Sequence, residues 1–155
     1  MRPAAGSPRL DRGLLSGHVG PRVRLLRNLL MSRVTAALAP FGLSHGALSA
    51  MTLIAANAHC SQMQIARDLG MEKSAVTTIV DELVRRRLVA RSRSAEDRRR
   101  NALSLTPKGE RTMQAMHAAA TAEEGPMERA LDPGEFDQFL SLLDRAYEAL
   151  AAARL

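Results

Sequence analysis

Cysteine and aromatic residues are scarce in this chain. Its 155 residues include one cysteine, Cys60, one tyrosine, three phenylalanines and no tryptophan. A single cysteine excludes an intrachain disulfide, and no grouping of cysteine with histidine has the spacing of a zinc site. We therefore expect one domain that needs no disulfide, metal or cofactor, in a reducing compartment such as the cytoplasm.

Long apolar runs are also missing. Residues 34–66 contain no charged side chain, but Pro40, Gly42, Asn57 and two histidines interrupt them. Such a segment is typical of buried helices and not of a membrane span, so we expect no membrane partner. The first twenty residues hold arginines, prolines and glycines without the apolar stretch of a signal peptide. We interpret residues 1–20 as a flexible basic arm.

The motifs of an enzyme are absent from the sequence. It has no glycine-rich phosphate-binding loop, no paired carboxylates in a recognisable setting and no nucleophile beside a base. We therefore expect a protein that is not an enzyme.

Arginine, by contrast, is abundant and concentrated. Between residues 85 and 100, eight arginines stand against Glu96 and Asp97, a local net charge of +6 that equals that of the whole chain. Duplex DNA carries a phosphate charge every ~1.7 Å, and clustered guanidinium groups that displace its counterions gain affinity for it. A run of charge is often only a solvated face. Here its position directly after a helix-turn-helix pattern favours a polyanionic partner.

The helix-turn-helix pattern begins at residue 61. Ser61 and Gln64 form a capping box that opens a short helix, which ends at Gly70. A second helix over residues 73–87 buries one apolar face and presents short polar side chains near its start, as expected of a helix in a major groove. Residues 88–90 and 101–105 are typical of two strands with a basic hairpin tip between them.

The flanking segments predict further helices. A helix is expected from Pro21 to Leu38, and cap-proline signals at Thr106-Pro107 and Asp132-Pro133 start two more. Their apolar stripes exceed what one winged domain can cover, which favours a dimerisation module over packing on their own domain.

These elements together predict the fold class and domain organisation. We expect a mainly α protein: a winged helix-turn-helix of about six helices with a two- or three-stranded wing, and a helical dimerisation module from the N- and C-terminal helices. Residues 21–155 would form a single domain, with the winged helix-turn-helix at 44–106 and the dimerisation helices at 21–40 and 107–155.

Residues 42–109 resemble the MarR family of bacterial winged helix-turn-helix regulators. Segments 42–44, 61–70 and 73–83 match that family in residue type and spacing, and its wing signature (Asp, any residue, Arg, five residues, Leu-Thr) is met by Asp97, Arg99, Leu105 and Thr106. The resemblance implies an obligate homodimer that represses at a pseudo-palindromic operator and is relieved by a small phenolic or anionic ligand.

The chain also departs from that family. Many relatives carry arginine where Thr78 stands and glycine near position 87, which is an arginine here. Relatives that sense peroxide have a reactive cysteine in the first helix, whereas Cys60 lies elsewhere, so we do not transfer that chemistry.

Two groups of residues are expected to contact DNA through the helix-turn-helix and the strands. Hydroxyl and methyl groups at the start of the second helix can meet base edges in the major groove. The residues expected there are Lys73, Ser74, Ala75, Thr77 and Thr78. The residues expected on phosphates, which position without specifying sequence, are Ser61, Gln62, Arg91 and Arg93. For Ser74 the alternative is a cap of its own helix.

The hairpin tip is expected to enter the minor groove. There Arg98 or Arg99 would meet the negative potential that a narrow groove concentrates. Asp97, two residues from Arg99, would brace that side chain through a charge-assisted hydrogen bond.

The resemblance places an effector site near the starts of the first two long helices, where His18, Arg22 and His45 would meet an anion. A structural or solvent-facing role is the alternative for lone histidines.

We therefore interpret the sequence as a sequence-specific, double-stranded-DNA-binding transcriptional regulator. The alternative is a non-specific architectural DNA-binding protein, since arginine charge alone gives sequence-independent affinity. A single-strand binder is disfavoured, because the basic segment lacks stacking aromatics.

Overall fold

A computed structural model describes residues 10–57, 59–93 and 101–153. In these ranges the helices are α1 (Val19–Leu38), α2 (His45–Ala56), α3 (Gln62–Asp68), α4 (Lys73–Arg85), α5 (Pro107–Ala122), α6 (Gly125–Glu128) and α7 (Pro133–Ala152). The strands are β1 (Val89–Arg93) and β2 (Asn101–Leu105), and 3₁₀ turns cover Gly13–Gly17 and Ala39–Phe41. The fold class is confirmed: the protein is mainly helical, with a two-stranded wing, and α6 is a single additional turn.

Side-chain caps start the helices where the sequence predicts them. The Ser44 hydroxyl accepts a hydrogen bond from the Ala47 amide at 3.2 Å, and that of Thr106 accepts from the Gly109 amide at 3.0 Å. The capping box of α3 is confirmed, since the Ser61 amide donates to the Gln64 side chain at 2.8 Å. These caps satisfy amides that helix N-termini leave unpaired.

The first helix begins at Val19, before the predicted start at Pro21. Proline is tolerated there because the first amides of a helix have no intrahelical partner. The Arg22 guanidinium donates to the carbonyl oxygens of Ser16 and His18, the latter at 2.7 Å, and so ties the preceding 3₁₀ turn to α1. Residues 10–18 of the predicted arm therefore have local structure, and residues 1–9 lie outside the described ranges.

The core lies between α2, α4, α5 and the wing strands. The apolar face of α4 is fully buried at Val76, Val80 and Leu83. Around it pack side chains from the other elements, all nearly inaccessible to solvent: Leu38, Met51, Ile54, Ile65, Leu103 and Met116. Burial of one face fixes the rotation of α4 about its axis and leaves the opposite, polar face free.

The wing is an antiparallel pair whose register runs from Val89 opposite Leu105 to Arg93 opposite Asn101. Val89 and Leu103 are buried, and the Leu103 amide donates to the Cys60 carbonyl at 3.3 Å. The base of the wing is thus part of the core. Residues 94–100, which connect the strands, lie outside the described ranges.

Helix α7 is exposed along its length. No residue of α7 whose burial is described is buried, although Leu140, Leu143, Tyr147 and Leu150 form an apolar stripe on it. Helix α1 also exposes Val23, Leu26 and Leu29. These exposed side chains form apolar stripes on α1 and α7 that the described residues of the chain do not cover.

The described helices lack the length or the apolar composition of a membrane span when taken singly. No single helix among residues 10–57, 59–93 and 101–153 is both long and apolar enough; α1 with its 3₁₀ extension and α2 meet the criterion only as a pair, across a bend of 78°.

Candidate nucleic-acid interface

The start of α4 presents polar side chains to solvent. Lys73, Ser74 and Thr78 are exposed, and Ala75 and Thr77 are half-buried. We call these five residues the polar face of α4. Glu72, not Ser74, holds the N-cap position. Ser74 therefore does not cap the helix, and the capping alternative for this residue is wrong.

The two threonine hydroxyls of the polar face bond back to their own helix. Thr77 donates to the Lys73 carbonyl at 2.9 Å and shares its proton with the Gln62 side-chain oxygen at 3.2 Å, while Thr78 donates to the Ser74 carbonyl at 3.1 Å. A hydroxyl has one proton and two acceptor lone pairs. Each threonine therefore offers a ligand an acceptor and a methyl group, which suits the amino groups of adenine and cytosine and the methyl of thymine.

Ser61 and Gln62, both predicted to contact phosphates, also form hydrogen bonds within the chain. The Ser61 hydroxyl is occupied by the α3 cap, in which it accepts from the Gln64 amide at 3.3 Å. The Gln62 side chain accepts from Thr77 and so links α3 to α4. Its amide nitrogen remains a donor that a phosphate can accept from.

The wing is attached to α4 by an ion pair that sequence reasoning missed. The guanidinium of Arg91, on β1, bonds the carboxylate of Asp81, on α4. Arg91, predicted on a phosphate, is therefore paired within the chain and sets the position of β1 against α4. The sequence signal for this pair was Asp81 itself, an acidic residue on the exposed side of a helix whose other side is apolar.

The residues predicted at the hairpin tip belong to the segment between the two wing strands. Asp97, Arg98 and Arg99 lie outside the described residues, as does the side chain of Arg93. Their roles stay predictions.

Among the predicted effector residues, His45 lines a cavity. This cavity of about 310 Å³ lies between α2 and α5. Its lining includes Leu48, Thr52, His117 and Glu124, but neither His18 nor Arg22. Arg22 is instead tied to its own turn, as described above. The predicted trio is therefore not brought together in one chain, and His117 is a lining residue that the sequence did not indicate.

Cys60 is buried beside the wing. Burial raises the pKa of its thiol, and a backbone hydrogen bond to it acts weakly in the opposite direction. The thiol is therefore protonated at neutral pH, which disfavours nucleophilic or redox chemistry.

Comparison with known proteins places this geometry in a family. Residues 41–100 match the sequence model of the MarR family. The transcriptional repressor CouR bound to a 23-mer DNA duplex is 29% identical and superposes with a TM-score of 0.82 over 90% of this chain and 99% of that one. CouR from Rhodococcus jostii RHA1 bound to p-coumaroyl-CoA is 25% identical, with a TM-score of 0.78 over 91% and 96%.

A curated relative agrees with the solved structures. A protein from Thauera aromatica, named as a regulatory protein for the hcr operon, is 27% identical over 106 residues, which are 68% of this chain. The match spans 64% of the length of that relative. The predicted resemblance is confirmed: residues 41–100 match the MarR family of winged helix-turn-helix transcriptional regulators, and the fold of the chain is similar to that of solved MarR-family structures.

Proposed function

We propose that this protein is a sequence-specific, double-stranded-DNA-binding regulator that works as a homodimer. The main support for the proposal is the orientation of α4 about its own axis. Its apolar face is buried at Val76, Val80 and Leu83, while its hydroxyl-bearing face is accessible to a ligand. A helix held in this way can enter a major groove without losing core contacts. The ion pair between Arg91 and Asp81 keeps the basic wing beside it.

The unpaired apolar stripes of α1 and α7 support the homodimer. Self-complementary contacts across a two-fold axis bury the same stripe on both chains, and the two copies of α4 then face one side of the duplex. The net negative charge of residues 107–155 keeps this module away from phosphates.

Repression relieved by a small phenolic or anionic ligand completes the proposal. One CouR similar to this chain is a transcriptional repressor solved in complex with a DNA duplex, and CouR from Rhodococcus jostii RHA1 is solved in complex with p-coumaroyl-CoA. The cavity beside His45 and His117 is a place where such a ligand would contact α2 and α5 together. Because α2 packs on α4, a ligand that shifts α2 would disturb the polar face of α4.

A selection experiment tests the proposal. The protein is used to enrich duplexes from a random library, and the selected duplex then competes with random duplex at fixed salt. We expect a preference of ~10³ or more, and two chains bound per selected site. A non-specific architectural protein would bind both duplexes almost equally, and that result would replace our proposal with the alternative.

A further inference from the structure

The C-terminal end of α4 contacts the end of α1 and the start of α5 at one point. Arg86, the C-cap residue of α4, donates to the Phe41 carbonyl at 3.2 Å and to the Gly42 carbonyl at 2.7 Å. The same guanidinium pairs with Glu82, one turn earlier, at 2.7 Å. Phe41 and Gly42 end the 3₁₀ turn that extends α1. Arg86 therefore connects α4 directly to the end of the first dimerisation helix.

Helix α5 reaches the same point from the other side. The Lys108 ammonium donates to the Arg86 carbonyl at 3.1 Å, and the Thr106 hydroxyl donates to the Arg87 carbonyl at 2.8 Å. The start of α5 thus satisfies carbonyls that the end of α4 leaves unpaired. Helix α5 approaches the end of α4 so closely that a Cβ at Gly109 would stand 1.9 Å from the Leu88 carbonyl oxygen.

The chemistry of Arg86 suits this connection. A guanidinium presents several N–H donors in a rigid plane and can bond two successive carbonyls and a carboxylate at once. Gly42 has a left-handed backbone (φ 58°), and a side chain there would be strained. The Arg86 side chain is 34% exposed, so solvent competes only in part for its bonds.

We propose that this contact, the α4 junction (Phe41, Gly42, Glu82, Arg86, Thr106 and Lys108), fixes the angle of α4 relative to the dimerisation helices and so selects the spacing between operator half-sites. The inference rests on the proposed function. Each added base pair moves a half-site by about 3.4 Å and rotates it by about 34°. A dimer whose two α4 helices are held rigidly accepts one spacing, and a dimer with a loosened junction tolerates several.

The experiment separates this positioning role from general stability. The half-site that wild type selects is placed twice on duplexes whose spacers differ in steps of one base pair, and affinity is measured for wild type, Arg86→Met and Arg86→Lys. Arg85→Met is the matched control, because it also removes one positive charge from the end of α4. The Arg85 side chain is 74% exposed, and its distance of 3.8 Å from Glu82 makes a much weaker contact than that of Arg86. Circular dichroism and thermal unfolding establish that each variant is folded.

For wild type we expect affinity to fall ~10-fold or more when the spacer changes by two base pairs, because one half-site then turns away from the protein. Arg86→Met should flatten this profile to within ~3-fold while its base preference within a single half-site is kept. Arg85→Met should weaken binding at all spacings equally and leave the profile unchanged. Arg86→Lys keeps the charge but lacks the planar guanidinium whose separate nitrogens bond the two carbonyls and the carboxylate together, so it too should broaden the profile.

A wild-type spacing profile in folded Arg86→Met would overturn the inference. If Arg86→Met does not fold, the same result in Arg86→Lys would overturn it. Failure of the proposed function has a different signature, since wild type itself would then select no half-site.

Discussion

At the scale of single residues, Thr77 and Thr78 on the polar face of α4 donate their hydroxyl protons to their own helix, and Arg91 pairs with Asp81. The helical period of α4 was enough to place Thr77 and Thr78 on the polar face. Their bonds to the carbonyls of Lys73 and Ser74 depend on side-chain rotation, which no pattern encodes. The pairing of Arg91 with Asp81 depends on how β1 packs against α4, so a count of arginines could not separate it from a phosphate contact.

The threonines of the polar face should carry base preference. Substituting Thr77→Val and Thr78→Val removes both acceptor oxygens and nearly keeps side-chain shape. We expect the ratio of affinities for selected and random duplex to fall ~10-fold or more, because a good base contact contributes ~1–3 kcal/mol of discrimination. Thr112→Val is the control, since Thr112 on α5 makes the same bond to the carbonyl four residues earlier, at 2.9 Å. An unchanged ratio in the double variant would remove these residues from the base-contacting set.

At the scale of elements, helix starts were predictable and one helix end was not. Serine, threonine and cap-proline signals located the starts of α2, α3, α5 and α7, because capping is a local interaction. Helix α4 ends at Arg85, before the predicted end at residue 87, and Arg87, which follows the C-cap, has a left-handed conformation (φ 59°) in which glycine is favoured. Bonds from the Arg87 and Leu88 amides to the carbonyls of Val84 and Leu83, both 2.9 Å, close this end.

The contact between α5 and the end of α4 predicts opposite effects of the same substitution at two glycines. Gly109→Ala should destabilise the protein by about 2 kcal/mol or more, because its Cβ collides with the Leu88 backbone. Gly134→Ala, in the first turn of α7, meets nothing within 4 Å and should stabilise by about 0.4–1 kcal/mol. Urea unfolding measures both. Equal free energies of unfolding for the two variants would show that α5 does not pack against the Leu88 backbone as described.

The link between α4 and the wing gives a second prediction at this scale. Asp81→Asn frees Arg91 and removes one negative charge near the duplex. Affinity for random DNA should rise, since phosphate repulsion falls, while the preference for the selected site should drop ~10-fold because the wing loses its position. Asp68→Asn, an exposed acid at the end of α3, is the control for charge alone. If both variants change the preference equally, the ion pair does not position the wing.

At the scale of the whole molecule, the sequence predicted the division between a basic winged domain and acidic helices with surplus apolar surface. The stripe on α7 follows from helical spacing, so it could be recognised without coordinates. The cavity beside His45 could not, because His117 reaches it from a distant helix and only tertiary packing joins the two. The predicted partnership of His18 and Arg22 with His45 failed to form within one chain for the same reason.

The apolar stripe of α7 should hold the dimer together. Leu143→Lys combined with Leu150→Lys places two charges on residues that are 41% and 75% exposed in one chain. We expect self-association to weaken ~100-fold or more in sedimentation experiments, because unpaired charges would be buried at the interface. Met63→Lys on α3 is the control, with 53% exposure outside this stripe. A double variant that dimerises like wild type would exclude α7 from the interface.

Hydroxyl-radical cleavage of a duplex that carries the selected site is the most direct measurement of the central claim, which is that two copies of α4 and the wing meet one face of the same DNA. We expect two protected stretches on that face, with centres about one helical turn apart, roughly 34–36 Å. A single protected stretch, or even protection along the whole duplex, would contradict it.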